Sequence, residues 1–337
     1  MSLNEVGKVE EDMGGFMRNA GGFVVATLLM GGVGWAVQTR ATVAPLVPVA
    51  QVKHPPIDEM SGIIKSRRYA NTYWVHNDSG DVPRLFAIRA DGSLIVPAWR
   101  SGSFFGDTPV DGKQAYPGVG VSLAANYDWE DIAIDDDTLY VGDVGNNGNA
   151  RRDLGVYVIP EPNPAAVDGT RILKWLPVAY PDQKEYPPSD WRYDCEALFV
   201  VRHKLYFLTK WRKGSSIGEP GVGASLYRLD TQQTDRTNVL KLVESQPDLG
   251  GWVTAASVSP DGKTLAVLCQ APEQSVWLFD ISGGGDRFLS RPARRLVFTG
   301  AKQCEAICFE GPDTLLVTNE QRDLFRLRVA DFPSVGR

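Results

Sequence analysis

Five copies of one four-residue pattern run along the chain, and they limit its fold more than any other feature. In every copy the second residue is aromatic and the fourth is aliphatic or Phe. The copies are Leu85-Phe86-Ala87-Ile88, Val156-Tyr157-Val158-Ile159, Leu226-Tyr227-Arg228-Leu229, Val276-Trp277-Leu278-Phe279 and Leu324-Phe325-Arg326-Leu327. A pattern that recurs at such intervals indicates a fold assembled from similar units, each of which needs its neighbours to bury its apolar faces.

A second apolar segment precedes each copy and is typical of a strand covered on both faces. These segments are residues 73–77, 139–143, 205–209, 265–269 and 315–319. Fourth strands are predicted at residues 93–98, 171–178, 239–243 and 294–298. The fifth unit ends too early to contain its own fourth strand. We therefore predict that residues 46–52 pair with this unit and close the ring.

Four-stranded units repeated in this way predict an all-β fold, a five-bladed β-propeller closed by an N-terminal strand. The 34 Gly, 22 Pro and 10% aromatic residues fit many short strands joined by tight turns. A six-bladed propeller is the alternative, with the extra blade in residues 101–127. That stretch is rich in Gly, Pro and Ser and favours a loop.

A hydrophobic segment at the amino terminus is predicted to lie outside the propeller. Residues 19–39 carry no charge, are flanked by Arg18 and Arg40, and are long enough to cross a bilayer as one helix. We therefore predict a tail with a signal peptide or signal anchor in residues 1–42 and the propeller in residues 43–337. The protein would then be extracytoplasmic, either periplasmic or secreted, and anchored to the membrane through residues 19–39 if this segment is not cleaved.

The acidic residues that precede this segment argue against a standard leader, which begins with positive charge. They are Glu5, Glu10, Glu11 and Asp12. Translation from Met13 or Met17 would leave Arg18 as the one charged residue ahead of the apolar run. A buried core helix is the alternative interpretation, but the glycines of the segment would weaken it.

Charge and composition argue against several classes of function. The net charge of -6 and the pI near 5.3 disfavour nucleic-acid binding, which needs a basic face. The histidines His54, His76 and His203 are isolated from one another, which disfavours a His-based metal site or catalytic triad. The cysteines form no Cys-x-x-Cys pair and are either buried free thiols or one disulfide at most. They are Cys195, Cys269, Cys304 and Cys308.

Acidic residues fall at one register of the first strand in each unit, the strand that lines the central channel of a propeller. The five copies are Glu59-x-Ser61, Asp128-x-Glu130, Asp194-x-Glu196, Trp252-x-Thr254 and Gln303-x-Glu305. A spacing of two places both side chains on the same face of a strand. We therefore expect six carboxylates to converge on the axis, and they are Glu59, Asp128, Glu130, Asp194, Glu196 and Glu305.

Converging carboxylates need compensation because two of them about 5 Å apart repel by roughly 3 kcal/mol at an effective dielectric of about 20. Three sources are open: a hard divalent cation, for which Ca²⁺ fits best, protonation of a carboxyl with a raised pKa, or backbone N–H donors of the next blade. The metal hypothesis assigns as ligands Glu59, Asp128, Glu130, Asp143, Asp194, Glu196 and Glu305.

Asp143 belongs to this set because its loop, Asp143-x-Gly145-x-Asn147-Gly148-Asn149, half resembles a calcium-binding loop. The EF-hand pattern is not met, since Gly145 stands at its third position and Leu154 at its twelfth, where Glu is required. A turn without metal is the alternative interpretation.

Sequence motifs for other catalytic chemistry are absent. Residues 223–227 lack the second glycine of Gly-x-Ser-x-Gly, and neither residues 118–120 nor residues 221–223 lead into the Gly-Lys-Ser/Thr of a phosphate-binding loop. Any hydrolysis would then use a metal-bound water and a carboxylate base. The candidate catalytic residues are Glu130 and Glu196.

Polar motifs stand beside the predicted strands. They are residues 76–80 (His-Asn-Asp-Ser-Gly), 128–133 (Asp-Trp-Glu-Asp-Ile-Ala), 142–147 (Gly-Asp-Val-Gly-Asn-Asn), 195–198 (Cys-Glu-Ala-Leu) and 304–307 (Cys-Glu-Ala-Ile). Together they resemble a group of exported bacterial β-propellers, similar in style to phytase-like and NHL or WD-type propellers. The resemblance spans residues 55–328 and implies the propeller fold. The phytase-like comparison implies calcium and phosphoester chemistry, but the chain has no cluster of Lys and Arg for a polyphosphate.

Two classes of function follow from these observations. In the first, the propeller binds a divalent cation in its channel and acts as a metal-assisted esterase, lactonase or phosphoesterase. In the second, it is a non-catalytic scaffold that binds a protein or glycan through aromatic residues on one face. The candidate aromatics are Trp99, Phe104, Phe105, Trp191 and Trp211. We expect a monomer with a small-molecule or glycan ligand and no nucleic-acid partner.

Overall fold

The structure, a computed structural model, describes residues 43–291 and 293–335. The hydrophobic helix predicted at residues 19–39 lies outside them. The helices among the described residues are two short 3₁₀ turns, η1 (Ala98–Arg100) and η2 (Val329–Asp331). Neither turn has the length or the apolar character needed to cross a membrane.

Two short strands begin the described chain, and five blades follow them in sequence order. The first strands are β1 (Val43–Pro45) and β2 (Ala50–Gln51). Blade 1 and its outer loop contain β3 (Met60–Lys65), β4 (Tyr73–Asn77), β5 (Arg84–Ile88), β6 (Phe104–Phe105), β7 (Gln114–Ala115) and β8 (Val119–Ser122). The next segment contains β9 (Trp129–Asp135), β10 (Thr138–Asp143), β11 (Gly155–Pro160), β12 (Gly169–Arg171) and β13 (Lys174–Ala179).

The remaining blades follow the same order. The third segment contains β14 (Asp194–Val201), β15 (Lys204–Lys210), β16 (Ala224–Arg228), β17 (Asn238–Val239) and β18 (Lys241–Gln246). The fourth contains β19 (Gly251–Val258), β20 (Thr264–Pro272), β21 (Ser275–Asp280) and β22 (Ala293–Thr299). The fifth contains β23 (Cys304–Gly311), β24 (Thr314–Asn319) and β25 (Asp323–Arg328).

Each blade is a four-stranded sheet, and the five blades form the predicted β-propeller. Their strand orders are β3-β4-β5-β8, β9-β10-β11-β13, β14-β15-β16-β18, β19-β20-β21-β22 and β23-β24-β25-β2. The first strand of each blade contacts the first strands of both neighbouring blades, so these five inner strands surround the channel. The described residues contain no sixth blade, so the five-bladed prediction is confirmed.

The amino-terminal strand β2 closes the ring as predicted. Ala50 pairs with Leu324 and Gln51 with Asp323, which makes β2 the fourth strand of blade 5. Three further strands pair in parallel with the outer edges of blades: β12 with β8, β17 with β13, and β1 with β22. These additions cover backbone groups that an open sheet edge would leave unpaired.

The prediction for the fourth strand of blade 1 is wrong. Within residues 93–98, only Leu94 forms a bridge, to Ile88, and the chain then turns at Pro97 into η1. The fourth strand is β8, which lies in residues 101–127, the stretch predicted to be a loop. Strand β8 alternates buried Val119 and Val121 with exposed Gly120 and Ser122, as an outer strand with one covered face does. Because the strand is short and rich in glycine, its alternation was not recognised in the sequence.

The apolar core consists of five clusters, and each cluster lies between two adjacent blades. This arrangement explains the repeated aromatic residue, because each copy packs in a different cluster. The five aromatics are Phe86 between blades 5 and 1, Tyr157 between 1 and 2, Tyr227 between 2 and 3, Trp277 between 3 and 4, and Phe325 between 4 and 5. Each blade therefore contributes one large ring to the interface with the preceding blade.

Candidate functional site

A β-bulge interrupts the pairing of the inner strand in all five blades, at equivalent positions. An extra residue in a bulge loses its place in the ladder, and its side chain is redirected. In blade 2, Glu130 and Asp131 together oppose Gly142. The residues left over at the bulges are Ser61, Glu130, Glu196, Thr254 and Glu305. The second position of each predicted two-residue register is therefore the bulged one.

Two of these five residues fasten neighbouring blades. The Ser61 hydroxyl donates to the backbone carbonyl of Glu130 at 2.9 Å, and the Thr254 hydroxyl donates to that of Cys304 at 3.0 Å. Asp131 also fastens blades, because its carboxylate accepts hydrogen bonds from the N–H of Ile132 at 2.8 Å and of Leu198 at 2.9 Å. Backbone N–H groups, one of the three predicted sources of compensation, thus stabilise the charge of the Asp131 carboxylate. An ionised glutamate at a bulge cannot form the same hydrogen bond as Ser61 or Thr254, because its carboxylate has no proton to donate.

Five carboxylates meet at the end of the channel where the inner strands begin, and we call them the acid cluster. Its members are Asp78, Asp128, Glu130, Asp194 and Glu196. They form two groups of three that share Glu130, and within each group one oxygen of every member lies within 4.8 Å of the others. Both groups consist of carboxylate oxygens alone, the donors that hard cations prefer.

Basic side chains neutralise one half of the acid cluster. Arg212 Nη2 lies 2.8 Å from Asp194 Oδ2, and Lys210 Nζ contacts Glu196 Oε1 and lies 3.8 Å from Asp194 Oδ2. The backbone N–H of Asn146 also donates to Asp194, at 2.6 Å. Burial opposes the charge on Lys210, but the carboxylates of Glu196 and Asp194 hold its pKa above the ordinary value. Lys210 is therefore a fixed cation in this half of the site.

The other half, formed by Asp78, Asp128 and Glu130, is compensated far less: burial raises the pKa of Asp78 and of Asp128, and the charges of Lys210 and Arg151 only partly oppose these rises. Among residues 43–291 and 293–335, none forms an ion pair with these three carboxylates. The carboxylates of Asp128 and Glu130 accept no hydrogen bond from the described residues, and Asp78 accepts one, from the N–H of Ser79 at 2.5 Å. Glu130 is only 7% exposed. An ionised carboxylate on so buried a residue is costly when no protein group donates to it.

The pKa values of the cluster reflect this crowding. Burial, and then the neighbouring carboxylates, raise the pKa of Asp128 to about 7 and that of Glu130 well above its ordinary value. Burial also raises the pKa of Asp78. Without a cation, the acid cluster would hold protons near neutral pH, because like charges in a desolvated site disfavour ionisation.

The loop after β10 holds the two unpaired carboxylates in place. A Cβ atom at Gly145 would overlap Glu130 Oε1 and the carboxyl group of Asp128, so a larger residue there would displace both carboxylates. Asp143 accepts the N–H of Asp128 at 3.2 Å and that of Tyr127 at 3.3 Å. Asp143 therefore positions the chain at Asp128.

Four of the seven predicted metal ligands lie in the acid cluster, namely Asp128, Glu130, Asp194 and Glu196. Asp143 lies outside it and pairs with Arg151 at 2.8 Å. Glu305 is also outside both groups; burial raises its pKa to about 7, and the charge of Lys210 opposes this rise. Glu59, which directly precedes β3, is exposed and lies outside both groups.

Asp78 and the basic pair Lys210 and Arg212 were absent from the predicted site. A repeat signal for two of them exists: Asp78 and Lys210 each follow the residue of the second strand that pairs with the inner-strand residue just before the bulge. Those paired residues are Asn77 and Thr209. Arg212 lies beyond the repeat, in a loop, and the sequence carries no comparable signal for it.

The loop at residues 143–149 satisfies its own polar groups, as the turn interpretation requires. Asn146 accepts the N–H of Asn149 on its backbone oxygen at 2.7 Å and the N–H of Arg151 on its side chain at 2.9 Å.

The four cysteines are free and buried, which settles the alternatives in favour of thiols. They are Cys195, Cys269, Cys304 and Cys308.

Comparisons with known proteins give limited information. No family model matches the chain, and no curated protein matches it. Among solved structures, one that is similar is Kuenenia stuttgartiensis hydrazine synthase, at 11% identity and a TM-score of 0.41, covering 87% of this chain and 99% of that one. A likeness this weak carries no argument about activity.

Proposed function

We propose that this protein binds a divalent cation, Ca²⁺, at the end of its channel through Asp78, Asp128 and Glu130. The observation that carries the proposal is the carboxylate of Glu130, which is buried, shared by both acidic groups and without a donor from the described residues. A divalent ion would supply the missing positive charge. Calcium fits because every available ligand is a carboxylate oxygen and calcium tolerates irregular oxygen geometry.

The asymmetry of the cluster favours one half as the cation site. Asp194 and Glu196 already contact Arg212 and Lys210, so a second cation beside them would meet repulsion. Asp78, Asp128 and Glu130 carry up to three negative charges, and no Lys or Arg among the described residues forms an ion pair with them. We assign the ion to this half, with Glu196 and Asp194 at its border.

Calcium should stabilise the protein at pH 8 and much less at pH 5. The unfolded carboxyls ionise near pH 4, whereas the pKa of Asp128 is raised to about 7 and that of Glu130 is also raised. Between these values the folded chain binds more protons, so the stability of the cation-free protein falls as the pH rises through this window. Saturating Ca²⁺ at pH 8 should raise the Tm by about 5 °C or more.

Differential scanning calorimetry with EDTA or Ca²⁺ at both pH values measures this effect. Equal shifts in Tm at pH 5 and pH 8 would mean that calcium binds at another site, one whose carboxyls do not titrate between these pH values. No shift at pH 8 would remove the proposal. Mg²⁺ serves as the control, since its octahedral demand and tightly held water make it a poorer fit for this all-carboxylate group.

The sharper form of the proposal is hydrolysis of an ester, lactone or phosphoester. A bound cation lowers the pKa of a coordinated water, and Glu196 borders the site as the candidate base. Burial raises the pKa of Glu196 well above its ordinary value, which makes the carboxylate a stronger base once it is ionised, and the contact with Lys210 opposes this rise. Glu130 acts in this scheme as a ligand of the ion and Glu196 as the acceptor of the water proton.

Three substrates test this form: p-nitrophenyl acetate, δ-valerolactone and bis(p-nitrophenyl) phosphate. We expect calcium-dependent turnover of one of them, with a loss of about 10²- to 10⁴-fold in kcat for Glu196→Gln. Calcium affinity should change little in that variant. If the calcium-loaded protein hydrolyses none of the three, the hydrolase proposal fails and the cation site stands on its own measurements.

The extracytoplasmic location predicted from residues 19–39 remains part of the proposal. Extracellular calcium modules work with dissociation constants of about 10⁻⁴ to 10⁻³ M, which a site with few carboxylates can reach.

The scaffold alternative has weaker support. Of its five candidate aromatics, only Trp99 is exposed, at 59%, while the other four are partly buried. They are Phe104, Phe105, Trp191 and Trp211.

A further inference from the structure

A cleft of about 490 Å³ opens on blade 2 beside the acid cluster, and we call it the aromatic cleft. Its lining residues are Leu123, Tyr127, Asp143, Asp153, Tyr157, Ile172, Trp175 and Pro177. Its volume lies within the range of small-molecule sites, and a mainly apolar lining with a few polar groups is typical of them. The proposals above assign it no role.

The cleft presents aromatic surface in a fixed arrangement. The rings of Tyr157 and Trp175 lie 4.5 Å apart between centroids. Trp175 also lies against Gly155, where a Cβ atom would overlap its ring. Tyr127 is 67% exposed, and the described residues accept no hydrogen bond from its hydroxyl. The apolar walls are thus rigid on one side and open to solvent on the other.

Polar groups of both kinds lie beside these rings. Arg151 donates to Asp143 at 2.8 Å and to Asp153 at 3.2 Å, and its guanidinium carbon lies 5.9 Å from the centre of the Tyr127 ring. The Asp153 side chain is 62% exposed and keeps free acceptor capacity. A ligand here would find donors and acceptors together.

We propose that the aromatic cleft binds a sugar ring. A pyranose has apolar C–H faces that fit the rings of Tyr127 and Trp175, and hydroxyls that both donate to Asp153 and accept from Arg151. An organic ammonium ion would also suit the aromatic faces, but both carboxylates of the cleft already accept from Arg151, which reduces the negative charge left for a cation. A sugar would use both the aromatic lining and the exposed acceptor of Asp153.

The cleft adjoins the proposed cation site but does not depend on it. Tyr127 directly precedes Asp128, and Asp143 accepts the N–H groups of both. A sugar bound in the cleft would therefore lie next to the acid cluster. Because none of the polar contacts invoked involves the ion, sugar binding is expected in EDTA as well as in calcium.

Saturation-transfer NMR on the full chain tests the inference, with cellotetraose, maltotetraose and chitotetraose as probes. We expect transfer to the ring protons of at least one of them. Tyr127→Ala and Trp175→Ala should weaken binding about tenfold, the usual loss for an aromatic anchor. Leu242→Ala, which removes an exposed apolar side chain on blade 3, is the control and should change nothing.

Tyr127 is the safer substitution because it is exposed, whereas Trp175 packs on Tyr157. No transfer to any of the three sugars would overturn the inference, and so would unchanged transfer in Tyr127→Ala. Binding of tetramethylammonium that is lost in Tyr127→Ala, in place of sugar binding, would identify an ammonium site instead. Binding of sugar in EDTA with no calcium effect on stability would separate this site from a failed cation proposal.

Discussion

Glu130→Gln should weaken calcium binding by roughly 100-fold or more while raising the stability of the calcium-free protein at pH 8. The amide keeps the shape of the side chain but removes the charge shared by both acidic groups. Loss of a group that merely supports a ligand costs about 10- to 100-fold in metal affinity, and loss of a direct ligand should cost at least as much. The gain in stability follows because the variant no longer has to bury an unpaired carboxylate. Isothermal titration with Ca²⁺ and calorimetry in EDTA measure the two effects.

Two control variants make this result specific. Glu196→Gln should lower calcium affinity far less, because Lys210 already neutralises that carboxylate. Asp136→Asn, in the exposed group of Asp135, Asp136 and His203, should leave affinity unchanged. If Glu130→Gln binds calcium as the native chain does, the cation is elsewhere. If it loses both affinity and stability, Glu130 has a structural role that its contacts do not reveal.

The repeat in the sequence was enough to predict the fold, because it reflects a packing requirement that all five blades share. One large ring is needed in every interface between blades, and the five aromatics from Phe86 to Phe325 supply it. The outer strand β8 was missed because nothing comparable constrains it. Outer strands pair on one side and bury alternate residues only, so their composition is freer.

The site was only partly predictable for a related reason. A spacing of two identified Asp128 with Glu130 and Asp194 with Glu196, because residues two apart share one face of a strand. The bulges at Glu130 and Glu196 involve backbone pairing, which leaves no mark in the sequence. The sequence also did not show which basic groups compensate the acid cluster. Arg212 reaches Asp194 from a loop whose path depends on tertiary structure.

Arg212→Met should destabilise the protein by about 3–5 kcal/mol, the largest stability effect expected of a single change in the site. Arg212 is only 5% exposed and donates to Asp194, Asn147 and the backbone oxygen of Ile217. Methionine fills much of its volume without these donors. Asp194 would remain buried beside Glu196 with Lys210 as its nearest base, so the loss reflects an under-compensated charge. Chemical denaturation at pH 8 in EDTA measures it.

The double variant Arg212→Met with Asp194→Asn distinguishes charge from packing. Removing both partners of a buried pair costs much less than removing one, so most of the lost stability should return. Arg236→Met, which breaks an exposed pair with Asp235, should change stability by no more than about 0.5 kcal/mol. Calcium should also stabilise Arg212→Met more than the native chain, because Asp194 and Glu196 then have Lys210 as their single ion-pair partner among the described residues. A double variant as unstable as Arg212→Met alone would instead assign the role of Arg212 to the loop contacts with Asn147 and Ile217.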